Sequence, residues 1–166
     1  AKDHGSLILY DPNFRMSHLR ELPTLKPVIL ENMQLADIVR GSDEDFRNIF
    51  GADNADEAKH ILPASCRYLV YTASSREVQL ITPEEKIILP VQPVKTVSTI
   101  GAGDTFNAGI AYGLYKHKIT GKTLNKTDTD TWKIILETAM QMSADVCTHY
   151  DNYISTDFAK SMICNF

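Results

Sequence analysis

Ser98-Thr99-Ile100-Gly101-Ala102-Gly103-Asp104-Thr105-Phe106-Asn107-Ala108-Gly109 carries the densest pattern in the chain: two glycines around an alanine, an aspartate, then an apolar run. Glycines so placed let a backbone turn tightly and approach a ligand with little side chain in the way. The apolar residues through about Tyr115 predict a buried helix opening at Asp104. Amides in a helix's first turn lack partners within the helix and carry partial positive charge, so such a turn can hold an anion. Aspartate is also a good helix cap. On composition alone, a capped helix behind a glycine turn accounts for the string. No lysine follows as in a Walker loop, and Phe106 stands where G-x-G-x-x-G needs its last glycine, so both nucleotide fingerprints are excluded.

Upstream, Leu7-Ile8-Leu9-Tyr10 closed by Asp11-Pro12 reads as a buried strand ending at a turn. Ser17 caps a predicted helix over residues 17–25, with Pro27 just past its end, and residues 31–35 predict more helix. Ala36-Asp37-Ile38-Val39 predicts a second strand. Ser42 then caps an acidic-first helix, Asp43-Glu44-Asp45-Phe46, which Gly51 ends. Residues 54–61 predict a helix stopped by Pro63, and Tyr68-Leu69-Val70-Tyr71 a third buried strand. Residues 77–81 and 86–89 alternate around Pro83-Glu84-Glu85 as a hairpin.

Downstream of the glycine turn, residues 116–130 are polar and predict a surface loop. Residues 131–149 predict a long helix with Ile134, Ile135, Ala139, Met142 and Val146 on one face. Asp157 opens a last short helix. Strands alternating with helices imply an α/β fold, a mostly parallel sheet flanked by helices. Ligands of such sheets bind beyond the carboxyl ends of the strands. Asp11, Gly41 and Thr72 each follow a predicted strand and Gly101 follows a predicted extended stretch over residues 91–99, which puts them on one rim. With no repeat and no Gly/Ser linker, residues 1–166 read as part of one domain.

The totals limit the function classes. The 166 residues are 43% hydrophobic and 23% charged, as in ordinary globular proteins. A net charge of -4 argues against nucleic acid as a partner. No apolar run approaches the roughly 20 residues that span a bilayer. The opening Ala1-Lys2-Asp3-His4-Gly5 has no signal-peptide apolar stretch and reads as the inside of a longer gene. Cys66, Cys147 and Cys164 are widely spaced, without C-x-x-C, and read as reduced thiols in a cytoplasmic protein. The five histidines pair neither with each other nor with cysteines, so no structural metal site is expected.

The string from Ser98 to Phe106 closely resembles the second signature of the PfkB, or ribokinase-like, carbohydrate kinases, D-T-x-G-A-G-D-x-F. Only its first position departs, Ser98 replacing aspartate. Asp11-Pro12-Asn13-Phe14-Arg15 is similar to the D-P-N-x-R of fructokinase-like and 2-keto-3-deoxygluconate-kinase-like members. Gly41-Ser42-Asp43-Glu44 falls where the family has N-x-x-E, with Glu44 matching. Thr72-Ala73-Ser74-Ser75-Arg76-Glu77 falls where it has T-L-G-x-x-G, with both glycines replaced.

The resemblance runs from Leu7 to Tyr153 and implies the C-terminal half of a ribokinase-like domain, without the N-terminal half and its β lid. It implies ATP and Mg²⁺ as cofactors, with Asp104 as the base that takes the sugar hydroxyl's proton. The amides of Gly101, Ala102 and Gly103 would form the anion hole, and Thr72 and Gly103 would lie along the nucleotide. Arg15, Asn13 and Asp11 would meet substrate or phosphate, and Glu44 would hold hydrated magnesium indirectly. The implied partners are ATP and a small sugar, fructose or a 2-keto-3-deoxy sugar acid, and neither nucleic acid nor membrane. With the complementary half absent, the chain alone is expected to be inactive and to form homo-oligomers through uncovered surface. The alternative is a non-catalytic nucleotide-binding or assembly module. An NAD-linked oxidoreductase is disfavoured by the missing glycine fingerprint.

Overall fold

The computed structural model describes residues 2–164, with the side chains of Asp3, Ile163 and Cys164 outside that description. The chain divides into two compact units, Ala1–Pro90 and Val91–Phe166.

The first unit is built on a five-stranded sheet in the order β1 (Leu9–Tyr10), β2 (Ile38–Ser42), β3 (Tyr68–Ala73), β4 (Glu77–Ile81) and β5 (Lys86–Pro90). β1, β2 and β3 run parallel, whereas β3–β4 and β4–β5 pair antiparallel. The expected sheet is therefore mixed, with parallel pairing confined to the strands that helices connect. β1 is shorter than the apolar run suggests at its N-terminal end: only Leu9 and Tyr10 pair with β2, and the Ile8 amide bonds the Asp37 carboxylate instead of a strand carbonyl.

Helices α1 (Leu22–Leu35), α2 (Asp43–Phe50) and α3 (Ala55–Ile61) complete this unit. They share one core with a single sheet face: Ile29 and Met33 of α1, Phe46 and Ile49 of α2, and Ala55 and Ala58 of α3 join Val39, Leu69, Tyr71 and Ala73. Fully burying one such Phe or Leu side chain contributes about 1.5–3 kcal/mol. The opposite sheet face carries Ile38, Val70, Leu80 and Ile87, together with buried Arg40 and Thr72.

Capping chemistry places α2 as expected. Ser42 Oγ accepts from the Asp45 amide while the Asp45 carboxylate accepts from the Ser42 amide, and Gly51 closes the helix at φ 73. α1 differs from expectation. Residues 16–21 form a 3-10 turn, and the helix runs through Pro27 rather than ending before it. The amide that Pro27 lacks would have bonded the Pro23 carbonyl in the first turn, so a single early bond is lost. Burial of Ile29 and Met33, one turn apart, keeps the helix intact.

The second unit contains α4 (Ala102–Lys116), α5 (Thr129–Cys147) and α6 (Thr156–Cys164). α4 and α5 pack antiparallel and very close. An added Cβ on Gly109 would lie 2.5 Å from the Ala139 Cα, and one on Gly113 would lie 3.0 Å from the Ile135 side chain. The buried face of α5 is Trp132, Ile135, Leu136, Ala139, Met142 and Val146, whereas Ile134 is 48% exposed. Ile134 was expected inside. Trp132 sets the stripe instead, and Ile134 falls about 100° away from Ile135 on the helical wheel. The predicted loop over residues 116–130 contains a 3-10 turn, Leu124–Lys126, anchored by buried Leu124. No helix among the described residues is long and apolar enough to cross a membrane.

Candidate functional site

The glycine turn lies in the second unit. Gly101 precedes α4 at φ 82, in the left-handed region that favours glycine. A Cβ there would also meet the Asn152 carbonyl oxygen at 3.0 Å and the Asn152 Cβ at 3.1 Å, so both conformation and space select glycine. The turn is tied to α5 by the Val97 and Ser98 amides, which donate to the Cys147 carbonyl (2.8 and 3.3 Å), and by Ser143 Oγ, which donates to the Ala102 carbonyl (3.0 Å). Ser98, where the resembled motif has aspartate, accepts the Ile100 amide at 3.2 Å and shapes the turn locally.

The structure corrects two expectations about this turn. Residues 91–100 form no strand, so the turn does not follow a strand end. The helix also starts at Ala102, two residues before Asp104, and Gly101 is its cap residue without any side-chain cap bond. Asp104 is therefore the third helical residue, and its exposed side chain is not spent on capping. The Ala102 amide donates to the Thr99 carbonyl at 3.2 Å, and the Thr105 amide donates to the Gly101 carbonyl at 2.8 Å. Gly103 and Asp104 hold the intervening first-turn amides, which a helix ladder leaves open. An anion approaching them gains both donors and the positive helix end.

The first unit holds the other candidates. Asp11 follows β1 and Thr72 lies near the end of β3, so both sit on the carboxyl rim of the parallel strands. Gly41 does not follow β2 but lies inside it. A side chain at position 41 would strike the Phe46 ring at 2.7 Å, and that ring also stacks on Tyr71 with centroids 5.7 Å apart. Glycine there makes room for an aromatic core.

Arg40, on β2 and 9% exposed, donates from Nη1 to Asp11 Oδ2 and from Nη2 to Thr72 Oγ1, each at 2.8 Å. Asp11 Oδ1 accepts the Asn13 amide at 2.9 Å, and Asn13 itself is left-handed at φ 42. The next amide, Phe14, donates to Asp45 Oδ1 at 2.7 Å. Arg15 then projects from the loop as an exposed side chain.

Of the three acidic residues opening α2, two are used by the protein. Asp43 pairs with Arg76 at 3.0 Å, and Asp45 serves Ser42 and Phe14. Exposed Glu44 takes no hydrogen bond or ion pair on its carboxylate from the described residues, which suits a group that contacts a cation through water. No cluster of three or more His, Cys, Asp or Glu among the described residues is placed to hold a metal directly. In the β3–β4 turn, Ser74 adopts φ 51 at the place of the first missing glycine. Holding a non-glycine residue there costs about 1–2 kcal/mol.

Arg40 and Asp45 escaped the sequence reading, though each left a trace. An arginine inside the apolar run Ile38-Val39-Arg40 needs a partner if buried, and Ser42-x-x-Asp45 has capping-box spacing. Cys66 is a buried free thiol whose pKa burial pushes up, and Cys147 is raised for the same reason, so neither is an activated nucleophile. The side chain of Cys164 lies outside the described residues.

Among solved structures, the fold is shared with the ATP-bound fructokinase of Xylella fastidiosa. The TM-score is 0.81 at 21% identity, over 99% of this chain and 54% of that one. Residues 1–131 match the model of the pfkB family carbohydrate kinases, and the chain belongs to that family. A fructokinase of Rhizobium leguminosarum bv. trifolii is 34% identical over 65% of this chain and 33% of its own length. A fructokinase of Klebsiella pneumoniae is 31% identical over 71% of this chain and 39% of its own length. The chain thus spans well under half the length of these two relatives.

Proposed function

We propose that residues 1–166 are the C-terminal portion of a kinase domain that transfers the γ-phosphoryl group of ATP to a sugar hydroxyl. Asp104 is the base that removes the hydroxyl proton as the oxygen attacks phosphorus and the ADP oxygen departs. The anion hole of Gly101, Ala102 and Gly103 draws its open donors from the glycines and from Asp104, because the Ala102 amide already serves Thr99. Arg15, with Asn13 and Asp11, meets phosphate or substrate oxygens. Thr72 and Gly103 lie along the nucleotide, the Thr72 hydroxyl being held in place by Arg40. Glu44 would hold magnesium through water, and the ion would supply neutralisation of phosphate charge. Fructose is the preferred acceptor, in line with the names of the two relatives above, and a 2-keto-3-deoxy sugar acid is the other candidate.

The observation that carries this reading is Asp104 itself. An acidic side chain in the first turn, exposed and free of cap bonds, stands beside open amides behind a left-handed glycine. A helix cap alone would have placed it three residues earlier, at position 101.

Ser74 favours a second reading, a nucleotide-binding or assembly module without catalysis, because a strained serine replaces a glycine where the backbone would lie along the nucleotide. For the chain by itself, no sugar-dependent turnover is expected, and self-association is, since strands and helices that pack on it would lie in the absent portion. ATP consumption across several sugars, run beside sedimentation of the purified chain, measures both. Robust sugar-dependent turnover by a stable monomer would put the whole sugar site within these residues and sink the account of a missing portion.

A further inference from the structure

One guanidinium ties together the ends of three parallel strands. Arg40 lies on β2, reaches Asp11 at the end of β1 and reaches Thr72 near the end of β3, both at 2.8 Å. Its planar fork of donors can serve both partners at once, whereas a lysine ammonium is a single point charge. The Asp11 carboxylate relays this hold, because its other oxygen accepts the Asn13 amide and supports the left-handed turn there. On the far side of that turn, Asp45 holds the Phe14 amide. Residues 11–15 are thus clamped on both sides, by Arg40 through Asp11 and by α2 through Asp45, immediately before the exposed Arg15.

We propose that Arg40 is a positioning residue, which presents Arg15 to phosphate oxygens by fixing Asp11 and the Asn13 turn. This rests on the reading of Arg15 as a phosphate-binding side chain. Arg40 touches no ligand in this scheme; it removes alternative conformations of the loop before binding, so that ordering it costs little when the anion arrives.

Hydrogen–deuterium exchange of the purified chain, with and without Mg-ATP, reports on the loop directly through the peptide covering residues 11–15. The wild-type loop should be protected already without ligand, through the bonds of the Asn13 and Phe14 amides, and gain further protection when the anion engages Arg15. Arg40→Gln should weaken the apparent affinity read from that peptide by about tenfold or more. Arg40→Lys, which keeps a positive charge on Asp11 without the fork that also reaches Thr72, should recover only part of it. Asp11→Asn should weaken binding to a similar extent, and Arg40→Gln added to it should cost nothing further, since the two side chains act as one unit. That double variant leaves no buried charge unpaired, so it remains a usable protein if Arg40→Gln alone does not fold. Unchanged affinity in Arg40→Gln, or effects that add in the double variant, would overturn the role of Arg40 alone. A wild-type loop that gains no protection, or gains as much in Arg15→Gln, would instead overturn the reading of Arg15, and the role of Arg40 with it.

Discussion

Asp104→Asn in the complete enzyme is expected to lower turnover by about 10²–10⁴-fold, the usual worth of a positioned general base. The amide cannot take the hydroxyl proton, yet it fills the same space. ATP affinity should change little, because the donors facing the anion are backbone amides of the turn. Stability should also change little. Asp104 makes no cap bond, so the loss is its interaction with the helix end, about 0.3–1 kcal/mol. Turnover, ATP binding and thermal unfolding measured on the same variant separate these effects. Near-normal turnover would reduce Asp104 to a favourable charge in the first turn and return the chain to the non-catalytic reading.

The second large effect is structural. Gly109→Val should destabilise the chain by about 3 kcal/mol, at the upper end of the cost of overpacking a tight site. A Cβ at position 109 would sit 2.5 Å from the Cα of Ala139, and backbone cannot swing aside as a side chain can. Substituting Ala instead gains about 1 kcal/mol of helix propensity over Gly, but the same contact remains, so that variant should still lose stability. Gly113 is the control. The atoms nearest its added Cβ belong to the Ile135 side chain, at 3.0 Å, which can shift by a few tenths of an ångström. Gly113→Ala should therefore be close to neutral, propensity offsetting the contact. For a chain of this size, 3 kcal/mol lowers the thermal midpoint by about 6–12 °C. Equal midpoints for Gly109→Val and Gly113→Ala would show that α4 and α5 do not pack as tightly as their backbones imply.

Both effects trace to the same helix, but they are not equally visible in the sequence. Asp104 and the glycine turn stand out in a single stretch of chain, because φ 82 at Gly101 and open first-turn amides are local properties. The close approach at Gly109 has no local signature; a glycine in an apolar helix only lowers its propensity until Ala139 is brought opposite. The sequence puts the start of α4 two residues late for a related reason. Aspartate is a common cap, and only the folded turn, held by Thr99, Ser143 and Cys147, makes Gly101 the cap residue.

The sequence by itself determined the elements whose stop and start signals are local: α2 between Ser42 and Gly51, the β4–β5 hairpin, buried β3, and the glycine turn with its aspartate. It also carried the family signature, since that signature is an unbroken string. Tertiary structure alone decided which side chains meet across the sheet and between helices. Arg40 finds Asp11 and Thr72 across 29 and 32 residues, Phe14 finds Asp45 across 31, and Trp132 rather than Ile134 turns inward. The physical reason is that strand register and helix rotation are set by the whole buried surface at once. Period and propensity place a residue on its own helix or strand, but only packing places it beside a residue thirty positions away.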